Sequence, residues 1–184
     1  LADAQRQGTL TVQNVLTESL RLLQIAGGFV PDDLGQMYTF PENAKAEALL
    51  EAVEEAGNVQ VVVWCAFRPE VAYLAALLEK TFERKAVVLT GQTPGAARAQ
   101  AIEAFKRGDA GFFVATAAAG GTGINGLQVA STEVFFSRNF KLGDYLQAQD
   151  RCHRPGTKST VSIVKMLAEN TVDLKVEESL EKKA

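Results

Sequence analysis

The sequence predicts an α/β fold in which a mainly parallel sheet is covered by helices on both faces. From residue 59 onward, short continuous apolar runs alternate with helical patterns. Such runs indicate strands buried on both faces, and the alternation indicates crossovers between parallel strands. At 184 residues and 47% hydrophobic composition, the chain is long enough for one substantial core.

The N-terminal part precedes this alternation. In TVQNVLTESLRLLQIAGGF (11–29) apolar residues recur at helical spacing, and Gly27-Gly28 ends the pattern. PDDLGQMYTFPEN then predicts a loop with a short hairpin. We therefore expect an N-terminal helix and a connecting loop or hairpin over residues 1–41, followed by an α/β lobe and a closing helix over residues 42–184.

Five strands are expected in the lobe, where short, mostly apolar runs alternate with helical patterns. They are predicted at 59–66, 85–89, 111–116, 132–137 and 159–168. Amphipathic patterns and their glycine or proline stops place the helices between and after them. The helices are predicted at 45–56, 69–82, 95–108, 142–154 and 171–183, the last with Thr171 as its N-cap.

Composition and charge exclude several classes of protein. No apolar run approaches the roughly 20 residues that span a bilayer, and the first residues carry no export signal. Cys65 and Cys152 lie far apart and predict reduced thiols rather than a disulfide or a zinc site. The net charge of -3 gives no global sign of nucleic-acid binding, but segment 138–165 holds six basic residues against two acidic ones.

The stretch GTGING, residues 121–126, matches the dinucleotide pattern G-x-G-x-x-G. A dinucleotide site places this loop after the first strand and ahead of a crossover helix. Here the loop follows the third predicted strand, and the next strand begins too soon for such a helix. No G-K-[ST] occurs in the chain, so a Walker loop is absent from the sequence. A nicotinamide or flavin site is therefore disfavoured.

The stretch QAQDRCHRPG, residues 147–156, carries the more specific pattern. On a helix turning ~100° per residue, Gln147, Arg151 and Arg154 lie on one face. Guanidinium groups donate paired hydrogen bonds, so this face suits a polyanion such as a triphosphate. A solvated helix face without a ligand is the alternative. The opposite face would pack on the sheet and carries Tyr145, Ala148 and Cys152.

QAQDRCHR resembles motif VI, Q-A-x-D-R-x-H-R, of the Swi/Snf-type helicase-like ATPases in helicase superfamily 2. ATAAAGGTGIN (115–125) is similar to their motif V, and VVVWCAFRPEVAYLAALLE to motif IV. The resemblance extends over about residues 11–175. These ATPases have two RecA-like lobes, and this chain resembles the second, C-terminal one. The implied fold is RecA-like and three-layered, with a mainly parallel sheet, helices on both faces and a preceding N-terminal helix.

The resemblance also implies roles at the nucleotide. Arg154 would be an arginine finger and Arg151 its partner on the phosphates, with Gln147 as a positioning amide. Gly123 and Asn125 would approach the nucleotide cleft. ATP and Mg²⁺ would be held mainly by a first lobe that this sequence lacks, so the chain alone is expected to be inactive and to bind neither tightly. No residue is assigned to a metal.

The same resemblance implies a track for a DNA backbone. Glycines permit close approach to phosphates and hydroxyls donate to them, and neither group reads base sequence. The residues expected along this track are Thr116, Gly120 and Gly121, with Thr90, Gly91 and Arg68 as weaker candidates at other strand ends.

The implied function is that of the second motor lobe of an ATP-dependent DNA translocase, with the first lobe and double-stranded DNA as partners and no membrane. Pro155-Gly156-Thr157 stands where the family commonly has I-G-Q, and three alanines occupy 117–119 of motif V. These departures favour a divergent microbial or viral member, in the cytoplasm or at the nucleoid. The alternatives are a lobe of an RNA helicase and a non-catalytic nucleic-acid or protein interaction module.

Overall fold

The computed structural model describes residues 15–120, 124–152 and 160–183. Across these ranges the chain forms a five-stranded parallel sheet and a separate two-stranded antiparallel hairpin. The strands are β1 Phe29–Pro31, β2 Met37–Thr39, β3 Val61–Cys65, β4 Ala86–Leu89, β5 Phe112–Thr116, β6 Thr132–Phe135 and β7 Ser162–Lys165.

Helices follow the strands as the alternating pattern predicts. They are α1 Val15–Ala26, α2 Ala44–Ala56, α3 Arg68–Phe82, α4 Gly95–Lys106, α5 Ala117–Gly120, α6 Leu142–Cys152 and α7 Val172–Glu181, with a 3₁₀ turn at Leu127–Val129. Thr171 is the N-cap of α7, as predicted, because its hydroxyl accepts a hydrogen bond from the backbone N–H of Asp173. The one-turn helix α5 and the 3₁₀ turn lie in a segment that the sequence analysis treated as loop.

The sheet has the order β4–β5–β3–β6–β7, and every neighbouring pair is parallel. All residues of β3 and β5 are buried, as their unbroken apolar runs predict. Strand β6 ends at Phe135, whereas the sequence predicts this strand to continue to residue 137. Past that point the N–H of Ala66 donates to the hydroxyl of Ser137, 2.7 Å away, so a side chain replaces the backbone acceptor of a regular ladder.

Each face of the sheet carries its own core. On one face, α2 and α3 pack Leu49 and Leu74 against β3, β5 and β6. On the other face, α4 and α6 pack Phe105 and Ala148 against the same strands. Both cysteines are buried free thiols, Cys65 in the first core and Cys152 in the second. The large aromatic side chains in and directly after strands β3, β5 and β6 are fully buried, namely Trp64, Phe112, Phe113, Phe135 and Phe136.

The N-terminal helix α1 packs against the C-terminal helix α7 of the lobe. Leu23 of α1 lies in a third cluster with Val176 and Leu180 of α7. The side chain of Asn43 links the hairpin region to α2, because it caps α2 at Ala46 and donates to the carbonyl of Gly27 at 3.1 Å. Within the described ranges no helix is long and apolar enough to cross a membrane.

Candidate nucleotide and nucleic-acid interface

The predicted nucleic-acid residues lie where three adjacent strands end. Thr90 and Gly91 follow β4, Thr116 is the last residue of β5, and Arg68 begins α3 just after β3. Because β4, β5 and β3 are neighbours and parallel, their carboxyl ends form one continuous edge. The fold therefore brings these candidates to the same side of the molecule.

Their exposure differs along this edge. Arg68 and Gly91 are exposed, and Thr90 is half-buried in a tight turn. The backbone N–H of Thr90 donates to the hydroxyl of Thr93, and its own hydroxyl accepts from the N–H of Gln92. Thr116 is only 6% exposed. Contact of each of these residues with nucleic acid remains a prediction.

The glycine loop begins with the single turn of α5. Gly120 is buried at its end, directly over the indole ring of Trp64. A Cβ atom at position 120 would overlap the six-membered ring, so only glycine fits here without a shift of the indole. This gives Gly120 a packing role that the motif did not reveal. Gly121 and Gly123 lie outside the described residues.

The end of the loop also requires glycine. Gly126 has φ = 116°, a conformation that side chains disfavour, and its N–H donates to the Gln128 side chain at 2.8 Å. In the sequence this residue is the last glycine of the G-x-G-x-x-G pattern, just past the stretch that resembles motif V. Asn125, the predicted neighbour of the nucleotide, is exposed.

Helix α6 presents two distinct faces, as its pattern predicts. Gln147 is exposed and Arg151 is partly exposed, four residues apart on the same side. Ala148 and Cys152 are fully buried, and the ring of Tyr145 packs edge-to-face on Phe135. The predicted arginine finger, Arg154, lies outside the described residues.

Two arginines from different helices bind the last two carbonyls of α5. Arg151 of α6 donates from Nε to the carbonyl of Gly120 at 3.2 Å, and Arg98 of α4 donates to the carbonyl of Ala119 at 2.6 Å. The last carbonyls of a helix lack partners within it, and guanidinium groups satisfy them here. The predicted nucleotide-binding helix and the predicted nucleic-acid loop are therefore in direct contact.

Arg98 was missed by sequence reasoning, although a signal was present. It lies in the first turn of α4, directly after the TGQTPG turn, and a cation there stands at the carboxyl edge of the sheet. Its partner is a backbone carbonyl that no residue pattern marks. Only the strand order, which sets β4 beside β5, brings α4 to the end of α5.

A buried carboxyl group beneath the loop was also missed. Glu133 of β6 is fully buried, and its Oε1 accepts a 2.6 Å hydrogen bond from the indole N–H of Trp64. Burial raises the pKa of Glu133 to about 7, although the indole hydrogen bond opposes this shift. An acid inside the apolar run TEVFFS was the available signal, since a buried charge requires partners.

The other face of the sheet holds a second buried acid. Glu70 of α3 accepts hydrogen bonds from the hydroxyl of Ser137 and from the N–H of Phe67. Burial raises its pKa to about 7, against the effects of these hydrogen bonds and of the nearby charge of Lys45. Lys45 itself pairs with Asp173 at 2.8 Å, with both side chains almost fully buried.

A further ion-pair group fixes α7 beside the end of β6. Glu177 pairs with Arg138 and, at 2.6 Å, with Lys165. Burial would raise the pKa of Glu177, but the hydrogen bonds and charges of Lys165 and Arg138 outweigh it and lower that pKa. The Arg138 that the sequence places in a basic segment is therefore a structural cation rather than part of an open basic surface.

The donor chemistry of α6 fits a nucleotide phosphate better than a metal. Gln147 and Arg151 offer amide and guanidinium N–H groups on one accessible face. Over residues 15–120, 124–152 and 160–183 no group of three or more histidine, cysteine or acidic side chains is placed to hold a metal ion.

Comparison with known proteins agrees with this architecture. Residues 44–156 match the family described as the helicase conserved C-terminal domain. The chain is similar to the human SWI/SNF-related matrix-associated actin-dependent regulator of chromatin subfamily A member 1, at 37% identity over 50% of this chain and 9% of that protein. It is also similar to the ATP-dependent helicase fft2 of Schizosaccharomyces pombe, at 31% identity over 68% of this chain and 10% of that protein.

A solved structure shares the fold. The crystal structure of the C-terminal part of the Fun30 ATPase domain superposes with a TM-score of 0.68, at 24% identity, over 76% of this chain and 46% of that chain. The chain spans about a tenth of the length of the two curated relatives. It belongs to the helicase conserved C-terminal domain family, as a RecA-like lobe of the Swi/Snf type.

Proposed function

We propose that this chain is the second motor lobe of an ATP-driven translocase that moves on double-stranded DNA. A first lobe of the same polypeptide would hold ATP and Mg²⁺, whose hydrolysis supplies the free energy. The observation that carries the proposal is the contact between Arg151 and the Gly120 carbonyl, because it joins the candidate nucleotide helix to the candidate DNA loop. This chain by itself is expected to hydrolyse no ATP.

In this proposal each predicted residue has a physical task. Arg154 and Arg151 would approach the γ-phosphate when the lobes close and would neutralise charge that builds on its oxygens, with Gln147 holding the phosphates in position. Gly123 and Asn125 would line the cleft on the same side. An arginine finger contributes roughly 10³–10⁵ in rate in other phosphoryl-transfer enzymes.

The DNA track would consist of backbone contacts at the carboxyl edge. Thr116, Gly120 and Gly121 would lie along one strand, with Thr90, Gly91 and Arg68 extending the contact across β4 and β3. Contacts to phosphates make binding insensitive to base sequence and strongly dependent on salt. Because Thr116 is only 6% exposed, the contacts at this strand end would come mainly from the segment that follows it.

The test is ATP hydrolysis by the full-length protein with and without duplex DNA, beside Arg154→Ala. We expect duplex DNA to stimulate hydrolysis and the variant to lose about 10³-fold or more of the stimulated rate. Arg107→Ala is the matched control, because Arg107 is an exposed arginine at the far end of α4 that pairs with Asp109. It should retain the wild-type rate.

Two outcomes would overturn the proposal. Stimulation by RNA and not by DNA would assign the lobe to an RNA helicase. Absence of hydrolysis with every nucleic acid would assign it to a non-catalytic interaction module. If Arg107→Ala loses as much activity as Arg154→Ala, the finger assignment fails.

A further inference from the structure

Trp64 is the only tryptophan of the chain, and it lies at the junction of the two candidate sites. Its ring supports Gly120 of the glycine loop, so closely that a Cβ atom on that glycine would overlap the ring. Its N–H points to the other side of the strand and donates to Glu133 at 2.6 Å. One rigid side chain therefore contacts both the loop and the buried acid.

Glu133 carries the connection to α6. The thiol of Cys152 lies within hydrogen-bonding reach of the carboxyl group and lowers its pKa, whereas the negative charge of Asp150 on the same helix raises it. Burial raises the pKa of the Cys152 thiol, and the neighbouring Glu133 raises it further, so the thiol remains protonated and able to donate. In the described part of the chain, Glu133 Oε2 has no nitrogen or oxygen donor as a partner.

These contacts connect the segment that ends at Gly120 to helix α6 in two ways. At the surface, Arg151 of α6 binds the carbonyl of Gly120. Beneath the surface, Trp64 and Glu133 join Gly120 to Cys152, the residue that follows Arg151 on the same helix. A displacement of Gly120 would therefore alter its contacts with the indole of Trp64 and with Arg151.

We propose that Trp64 and Glu133 form a buried positioning pair that sets the glycine loop in register with helix α6. Both side chains are fully buried, so they act through Gly120 and Arg151. The consequence for activity rests on the proposed function, because the pair would transmit occupancy of the loop by nucleic acid to Arg151 of α6. The structural statement does not rest on it.

The first test uses the fluorescence of Trp64 in this chain. A carboxylate that forms 2.6 Å from the indole nitrogen changes the field on the excited indole, so its emission should shift as Glu133 titrates. Between about pH 5 and about pH 9 we expect one transition with a midpoint near 7, where burial places the pKa of Glu133. Glu133→Gln keeps an oxygen acceptor for the indole and should abolish the transition.

Two features make this titration specific. Glu70→Gln is the matched control, because Glu70 is equally buried with a pKa near 7 but packs on the opposite face of the sheet. It should leave the transition unchanged. The single histidine, His153, is retained in both variants, so a transition that survives in Glu133→Gln would belong to His153 or another group and would overturn the pairing.

The second test measures local opening of the two segments. Amide hydrogen exchange should rise in residues 117–126 and in 142–152 together in Trp64→Phe and Glu133→Gln, but in neither segment in Glu70→Gln. A rise confined to one segment, or an equal rise in the control, would overturn the positioning role. Circular dichroism confirms that each variant remains folded.

The third test examines coupling in the full-length protein. We expect Glu133→Gln and Trp64→Phe to lower the DNA-stimulated ATPase rate by about 5-fold, the size of a typical coupling change, with little change in the unstimulated rate or in DNA affinity. Equal losses in all three quantities would indicate a merely structural role and overturn the proposal. If wild type shows no stimulated hydrolysis, the proposed function fails, and the titration and exchange results still decide the positioning pair.

Discussion

The two faces of the sheet each bury one glutamate, and they hold it in different ways. Glu70 lies at the start of α3, where its carboxylate accepts from the N–H of Phe67 and from the hydroxyl of Ser137. Glu133 lies within β6 and accepts from the indole of Trp64. Burial raises the pKa of both acids to about 7, so the two groups have similar desolvation and different surroundings.

The difference shows that the role of a buried acid depends on which structural elements its hydrogen-bond partners contact. The partners of Glu70 anchor the start of α3, and its Oε1 abuts Gly27 beside a cavity of about 30 Å³. Lys45, nearby, belongs to an ion pair that holds α7. The partners of Glu133 instead lead to the glycine loop and to α6. One acid stabilises the frame, and the other lies between the candidate sites.

The largest effect is expected from Lys45→Met. Removing one partner leaves Asp173 buried without its ion, which costs about 3–5 kcal/mol in comparable cases. The charge of Lys45 also lowers the pKa of Glu70, so that pKa should rise further while that of Glu133 stays unchanged. Urea unfolding and carboxyl titration by NMR measure the two effects.

Lys106→Met provides the control for this change. Its ion pair with Glu103 is about half exposed on both sides, so the loss should be about 0.5 kcal/mol or less. A shift of the Glu133 pKa in Lys45→Met would contradict the separation of the two faces.

The next effect concerns stability against pH. Each glutamate has a folded pKa of about 7 against an ordinary value of 4.5. Below pH 4.5 each carboxyl group is protonated in both the folded and the unfolded protein, so neither acid lowers the free energy of unfolding. Between pH 4.5 and pH 7 the carboxyl group ionises in the unfolded state while it stays protonated in the folded state, so the free energy of unfolding falls as pH rises. Once pH has passed 7, each acid has lowered that free energy by about 3 kcal/mol.

Glu70→Gln and Glu133→Gln should each remove about half of this slope between pH 5 and 8, as measured by urea unfolding at several pH values. The double variant should be nearly flat over the same range. If one single variant removes the whole slope, the acids do not titrate alike and the comparison between the faces is wrong.

The smallest effect compares the two glycines that cover these acids. Gly120→Ala forces a methyl group into the rigid indole of Trp64 and should cost about 1–3 kcal/mol. Gly27→Ala meets Oε1 of Glu70 most closely, with Cδ of Glu70 and the carbonyl oxygen of Gln24 farther away. The end of a carboxylate side chain shifts more easily than a packed indole, so the cost of Gly27→Ala should be smaller. Thermal unfolding measures both, and a larger loss in Gly27→Ala would reverse the argument.

Much of the fold could be predicted from local pattern. The runs VVVWC and FFVAT are strands because their residues are apolar at every position, and the stripe of Gln147 and Arg151 follows from helical geometry alone. Boundaries were less accurate. No local pattern indicated that Ala117–Gly120 would form a helical turn, because three alanines before glycines suit a loop motif as well as a helix.

The candidate site was predicted residue by residue but not as a set of contacts. The sequence did not predict the contributions of Arg98, Trp64 and Glu133, because no local spacing relates these residues to the glycine loop. They meet it through the order β4–β5–β3–β6, which places α4 and the indole on either side of Gly120. An acid within an apolar strand indicates a buried partner without saying which one.

The sequence by itself determined the α/β class, the core face of each helix and the family motifs, because these depend on the type and spacing of neighbouring residues. Tertiary structure alone decided which strand lies beside which, why Gly120 must be glycine, and how Arg151 reaches the loop. The physical reason is that hydrophobic periodicity acts within one element. Hydrogen bonds between buried side chains form only after distant strands have paired.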